Sequence, residues 1–347
     1  MAAPDPPRRL VVFGATGHLG QEVIEGLAES DWPIGEIVGV ASPESAGAEF
    51  EIRGEIFDVV TEWPTLKGRH LVLVCTPAAV ALDVVREALR AEVPCIDCSG
   101  ALVGQADVPM PVRTADFDEA VAAWASAPLV SLATPTTIAW TPILEALRQA
   151  VGVRRVVATV LCSASAWGRR GIASLSDESI ALFNQSEAPE TGPAGQGVAF
   201  DVIPGGAIDE ARVAGELARL FGPELGVALT SVQVPTFVGE GASLALELAS
   251  PLDEGALESL LGGLPGVTLV AEGLGSQGPA LVEEGAREIV GPTLRDSAGS
   301  GEVLVGRLRP DASLPAGLGW RLWVTIDPIG LAAAHALRLA RQRLGLA

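Results

Sequence analysis

The sequence predicts an α/β chain: a doubly wound parallel sheet first, then a second domain of α+β character. Three observations lead there. Strand-like apolar runs alternate with helix-spaced segments up to about residue 151. Beyond it the strand-like segments lengthen and helices fall between them. The 347 residues, with 40 Gly and 25 Pro, suffice for two cores joined by many short connections.

The elements follow in order. "RRLVVFGATGHLGQEVIEGLAES" reads as a strand, a glycine turn and an amphipathic helix. "EIVGVAS" and "HLVLVCT" are strands, "AAVALDVVREALRAE" is a helix with apolar residues at helical spacing, and "PCIDCS" and "APLVSLAT" are strands. "TTIAWTPILEALRQAVG" is a helix. The later strands, "RRVVATVLCSASAW", "ALTSVQVPTFV", "ASLALELAS" and "RLWVTID", read as long members of an antiparallel sheet, with helices such as "DEARVAGELARLFG" between them. Residues 185–200, "QSEAPETGPAGQGVAF", read as an exposed excursion. "DPIGLAAAHALRLARQRLG" closes the chain as a helix with Pro328 near its first turn. There is no internal repeat.

Composition narrows the functions. A net charge of −20 without a basic stripe argues against nucleic acid as a partner. No apolar run approaches the ~20 residues that span a membrane, and the N-terminus enters a strand without a signal-peptide core, so a soluble cytoplasmic protein is expected. Cys75, Cys95, Cys98 and Cys162 are too few and scattered for a disulfide scaffold. The C-x-x-C of Cys95 and Cys98 lies on a buried strand rather than opening a helix, which reads as coincidence rather than a redox motif. His18, His70 and His335 form no ligand-spaced cluster, so no metal is expected.

Gly14, Gly17 and Gly20 form G-x-x-G-x-x-G between a strand and a helix. Glycines let the backbone approach a pyrophosphate, and the helix start offers unpaired N–H groups. The bland alternative is a turn retained without a ligand, with His18 an exposed turn residue. A longer stretch, "GATGHLGQEVIEGLAESDWPIGEIVGVASPESAG", resembles the opening of aspartate-semialdehyde dehydrogenases, with their GATGxVG loop and A-S-x-x-S-A-G strand end. "CIDCSGALVGQADVPMPV", "AFDVIPGGAIDE", "VQVPTFVGEGASLALEL" and "VLVGRLRPDASLPAGLGWRLWVTID" are similar to later blocks of that family, in order along nearly the whole chain. The resemblance implies a Rossmann domain over 1–136 and a central α+β domain over 137–325, like that of glyceraldehyde-3-phosphate dehydrogenase, which forms a homodimer. It also implies a C-terminal helix over 326–347 packing back on the first domain.

The same resemblance implies acyl transfer joined to hydride transfer, through a cysteine thiolate, a histidine base and NADP(H). The family cysteine sits at a helix start in N-P-N-C-(S/T)-T, where this chain has Thr134-Pro135-Thr136-Thr137. The family histidine falls on Glu240, the substrate arginine on Gln233, the glutamine near Leu161, and the phosphate arginine on Val103. Nucleophile, base and both anion clamps are replaced together, which favours a non-catalytic member, as in the Usg-type proteins that resemble this dehydrogenase yet lack its cysteine. Cys98 and Cys162 are the candidates for a relocated nucleophile, with packing the blander reading.

Cofactor-binding candidates are Gly14, Thr16, Gly17, His18, Leu19 and Gly20 in the loop, and Ser42, Glu44 and Ser45 after the second strand. Glu44 stands at the family arginine and Ala48 at the lysine that hold a 2′-phosphate, whereas a carboxylate suits a free ribose 2′-OH. NAD is therefore expected over NADP if either binds; a fold that has outlived its dinucleotide is the alternative. The family asparagines near the nicotinamide are absent, with Pro328 and Ala336 in the C-terminal segment. Three functions compete: a catalytically silent homologue with a structural, regulatory or nucleotide-binding role; an NAD(P)-dependent oxidoreductase using Glu240 as base; and a module binding a small metabolite.

Overall fold

The computed structural model describes residues 6–117, 123–187, 192–270 and 291–346. The chain divides into two compact units, residues 1–138 with 332–347, and residues 139–331.

In chain order the first unit begins with β1 (Arg8–Phe13), α1 (His18–Glu29) and β2 (Ile34–Val40), then β3 (Glu49–Ile52) and β4 (Glu55–Asp58). β5 (Leu71–Val74), α2 (Ala78–Arg90), β6 (Cys95–Asp97) and β7 (Leu129–Ser131) follow, and α3 (Pro135–Ala150) starts within this unit. Five strands pair in the order β2-β1-β5-β6-β7, all parallel. Their near-continuous apolar character follows from this arrangement, because a parallel sheet is covered on both faces. Val11, Val12, Leu71 and Val74 are fully buried. α2 presents Ala81, Val84, Val85 and Ala88 to the core, a spacing that puts all four on one face. The strand order reverses between β1 and β5, and the crevice at their carboxyl ends is where open α/β sheets take ligands.

The hairpin of β3 and β4 is an addition to the expected elements. Arg53 and Gly54 both take positive φ in its two-residue loop, and Phe50 stacks on Phe57 at 5.5 Å.

The second unit contains β8 (Val153–Cys162), α4 (Gly168–Phe183), β9 (Ile203–Pro204), α5 (Glu210–Phe221) and β10 (Gly226–Gln233). β11 (Glu240–Leu248), α6 (Glu254–Gly262), β12 (Val267–Leu269), β13 (Val303–Pro310) and β14 (Gly319–Ile326) complete it, and α7 (Pro328–Leu344) leads back into the first unit. Seven strands among the described residues order as β12-β13-β14-β11-β8-β10-β9. The sheet is mixed, not antiparallel as expected. β10 runs parallel to β8 and β12 parallel to β13, while β11 is antiparallel to both β8 and β14. α4 and α5 lie between β8 and β10 in the chain, and a crossover of that length brings a strand back in parallel.

One sheet face is buried, through Val156, Ala158, Val160, Leu244, Leu246, Leu322 and Val324. The alternate residues Val157, Ser243 and Arg321 face outward. The expected excursion at 185–200 is mostly exposed, but Val198 is buried against Ala164, Leu175 and Ile203, so it is also a plug. Residues 188–191 of that stretch lie outside the described residues.

Within the first unit, the end of α7 is anchored by its own side chains. Arg343 donates to the Ala125 carbonyl, and Arg8 donates to the Leu344 carbonyl at 2.9 Å. Leu339 and Ala340 are fully buried there.

Candidate functional site

The glycine loop lies at the reversal crevice, and its glycines are required by contact as well as conformation. A Cβ on Gly14, whose φ is +82°, would come within 2.5 Å of the Cys75 carbonyl oxygen. A Cβ on Gly20 would come within 2.1 Å of the Gly14 carbonyl oxygen. The Gly17 N–H bonds the Gly14 carbonyl, and the Gln21 N–H bonds that of Gly17. α1 begins at His18, so His18, Leu19 and Gly20 supply the first N–H groups of a helix with no side-chain cap.

Thr16 hydrogen-bonds Ser45 through their hydroxyls at 3.0 Å, tying the glycine loop to the turn after β2. Ser42 precedes that turn, and Glu44 is exposed within it. Thr76, one residue beyond the carbonyl that Gly14 approaches, has a buried hydroxyl without a hydrogen-bond partner. Sequence reasoning missed Thr76; its only signal was a hydroxyl at the carboxyl end of β5. A backbone cradle, helix-start N–H groups and an unanswered hydroxyl fit the phosphates of a dinucleotide.

The turn after β6 is organised by Asp97, fully buried. Its carboxylate accepts from the Ser99 N–H at 2.9 Å, the Leu102 N–H at 3.2 Å, and the Ser99 and Ser131 hydroxyls. This hold fixes the segment ending in Val103, which is buried and apolar, so its side chain offers nothing to a phosphate. Cys98 shares a hydrogen bond with Cys75 on the neighbouring strand end. That bond, burial and the nearby Asp97 charge push the Cys98 thiol well up. Burial, with Asp97, likewise raises Cys95.

At the start of α3, Thr136 and Thr137 are buried. The Thr134 hydroxyl donates to the Thr137 hydroxyl at 2.9 Å and accepts the Thr137 N–H at 3.3 Å. The helix thus begins on a threonine cap.

In the second unit, β10, β8 and β11 lie side by side, and their register aligns Gln233, Cys162 and Glu240 in one row. All three are buried. Strand alternation turns Leu161 to the other face, so Cys162, not Leu161, shares the row with Gln233 and Glu240. Burial, and then the Glu240 charge, push the Cys162 thiol up to about 12, against backbone bonds that lower it. The Gln233 side chain donates to the Val234 carbonyl at 3.3 Å, while its Oε1 is buried without a partner.

Glu178 on α4 receives the Val198 and Ala199 N–H groups and the Ser174 hydroxyl. Burial pushes its pKa up, but these bonds outweigh it and leave the carboxyl below its ordinary range. They anchor the start of "VAFDVIP". Among the described residues no group of three or more His, Cys, Asp or Glu could hold a metal ion, and no helix is long and apolar enough to cross a membrane.

Known proteins match this arrangement over nearly its whole length. Residues 9–123 match the model of the semialdehyde dehydrogenase NAD binding domain, and residues 144–329 that of the semialdehyde dehydrogenase dimerisation domain. Aspartate-semialdehyde dehydrogenase 2 of Vibrio cholerae serotype O1 is 28% identical over 345 residues, covering 95% of this chain and 96% of that protein. The USG-1 protein homolog of Pseudomonas aeruginosa is also 28% identical, covering 94% and 95%. The crystal structure of aspartate semialdehyde dehydrogenase II from Vibrio cholerae superposes with a TM-score of 0.83, covering 97% of this chain and 98% of that one. Two domain models that together span most of the sequence place this chain in the semialdehyde dehydrogenase family.

Proposed function

We propose that this chain is a dinucleotide-binding member of the family that has lost covalent acyl transfer and serves a structural, regulatory or metabolite-binding role as a homodimer. One observation carries the reading: where the reaction needs an exposed thiolate, the chain has a buried threonine whose hydroxyl is engaged by Thr134. An alcohol is far less acidic than a thiol and attacks only with an adjacent base. The two candidate replacements, Cys98 and Cys162, both have their thiol pKa values pushed up, which favours the neutral form that does not attack.

The dinucleotide's phosphates would be held by the N–H groups of the Gly14–Gly20 loop and α1, with Thr16 and Thr76 at the rim. Ser42 and Ser45 would face the adenosine ribose, and Glu44 would accept a bond from its free 2′-OH. When bound, the nicotinamide supplies hydride acceptance or donation.

The second reading, a small metabolite in the second unit, draws on the orphaned Gln233 Oε1, in one row with Cys162 and Glu240. A buried acceptor of this kind calls for a donor from a ligand or an ordered water.

Calorimetry of NAD and NADP tests the cofactor reading. The unmodified protein should prefer NAD. Glu44→Arg should reverse the preference by on the order of 2 kcal/mol, roughly thirtyfold, through one repulsion removed and one charge-assisted bond gained. Tight NADP binding by the unmodified chain would show Glu44 misplaced, and binding of neither would leave the loop a structural relic.

A further inference from the structure

Spacing along the chain pairs Cys95 with Cys98, but the fold sends them to opposite faces of the first unit's sheet. Cys95 packs with Val72, Val74 and the α2 residues Ala81 and Val84. Strand alternation turns Leu73, Cys75, Ile96 and Cys98 the other way. Cys98 has a different neighbour. Val74 and Asp97 are register partners at the ends of β5 and β6, and the Cys98 N–H donates to the Val74 carbonyl at 3.0 Å. The next residues, Cys75 and Cys98, therefore fall side by side on one face, where their thiols share a hydrogen bond.

Neighbouring strands lie about 4.8 Å apart, and a disulfide joins Cα atoms roughly 4.4–6.8 Å apart. The pair is within reach of a bridge. The Cys98 thiol also reaches the Ile96 carbonyl at 3.8 Å, but thiols are weak donors and neither bond holds the sulfurs apart. Both residues are half-buried, open to a small oxidant, whereas Cys95 and Cys162 are buried.

We propose that Cys75 and Cys98 form a reversible oxidation site, closing an intramolecular disulfide when the chain meets a hydroperoxide. The Cys75 sulfur attacks the peroxide. The O–O bond breaks, water or an alcohol leaves with the thiol proton, and Cys75 becomes a sulfenic acid. The Cys98 sulfur then attacks the Cys75 sulfur, the S–O bond breaks, and water leaves with the Cys98 proton. Two thiols are oxidised and one hydroperoxide is reduced. The hydrogen bond to Cys75 is the main reason the Cys98 thiol is raised, so the first step removes what most holds its proton. That order makes Cys75 the attacking sulfur and Cys98 the resolving one. The bridge ties the strand ends on which the glycine loop packs. Gly14 lies so close to Cys75 that a Cβ there would come within 2.5 Å of the Cys75 carbonyl oxygen.

The test treats the reduced full chain with hydrogen peroxide, alkylates the remaining thiols under denaturing conditions, and reads intact mass and tryptic peptides. Before alkylation the mass should fall by two hydrogens, and two of the four cysteines should then escape alkylation. Peptides 70–86 and 91–113 carry Cys75 and Cys98 separately, and should run as one linked species with the alkyl group on Cys95. Dithiothreitol should part them. Cys95→Ser should keep the bridge, and Cys75→Ser or Cys98→Ser should abolish it. Should a variant unfold, the alkylation map of the unmodified chain decides alone. None of these readouts depends on a dinucleotide. A bridge closed within 91–113, a bridge between two molecules, oxidation of Cys98 with Cys75 left free, or four thiols still alkylated would each overturn the proposal.

Discussion

His335→Gln should reduce the acid sensitivity of the first unit between about pH 8 and pH 5, leaving the smaller share of His70, which burial and then Arg9 and Arg8 also lower. His335 is buried on α7, with Nε2 2.9 Å from the Pro111 carbonyl oxygen and its ring edge-on to Phe117 at 5.8 Å. The Arg338 guanidinium lies over the same Phe117 ring at 3.4 Å. Burial, and secondarily the Arg338 charge, depress the imidazole to about 4, against the pull of Pro111 and Asp116. The folded histidine therefore stays neutral while the unfolded chain takes up a proton near 6.5. Its contribution is whole above that pH, declines as pH falls, and is gone near pH 4. The full span is worth about 3 kcal/mol, of which about 2 kcal/mol is lost by pH 5. Glutamine keeps a donor for Pro111 and does not titrate. Urea unfolding of both proteins at the two pH values, followed by tryptophan fluorescence, measures the difference; Trp124 reports from the same patch, bonded to the Asp116 carbonyl. Glu178, Glu224 and Asp311, whose pKa values are lowered, lose their contributions at lower pH and equally in both proteins. With three histidines in the chain, ring NMR assigns the His335 titration directly. Titration near 6.5, or equal pH dependence in both proteins, would refute the argument.

Asp97→Ala should destabilise the first unit by on the order of 4 kcal/mol, since it strands two backbone N–H groups and two hydroxyls that share one buried carboxylate; a loss below about 1 kcal/mol in urea unfolding would mean that water replaces it. Light scattering at micromolar concentration should give a homodimer. Phe183 and Phe200, 75% and 67% exposed, touch edge-to-face, with Ile180 and Val202 also exposed, a patch that calls for a cover. Phe183→Asp should then shift the protein toward monomer, and a monomeric unmodified chain contradicts the prediction.

What was readable in the sequence is what neighbours decide. The glycine loop was legible because its constraint, close backbone approach between a strand and a helix, lies within Gly14–Gly20. The parallel pairing of β8 with β10 was not, because alternation fixes a strand's faces but not the direction of its partner. The four-residue strands of the β3–β4 hairpin were too short to stand out between longer runs. At the candidate site, motif position singles out Gln233 and Glu240, but their row with Cys162 needs the register of three strands.

The loss of covalent chemistry is tested most directly by intact-protein mass spectrometry after incubation with aspartate semialdehyde and NADP, phosphate being omitted. Under these conditions a thiol or alcohol nucleophile would retain its acyl group instead of passing it on. The expected result is an unmodified mass and no NADPH formed. An acyl adduct mapping to Thr136, Thr137, Cys98 or Cys162, formed together with an equivalent of NADPH, would contradict it.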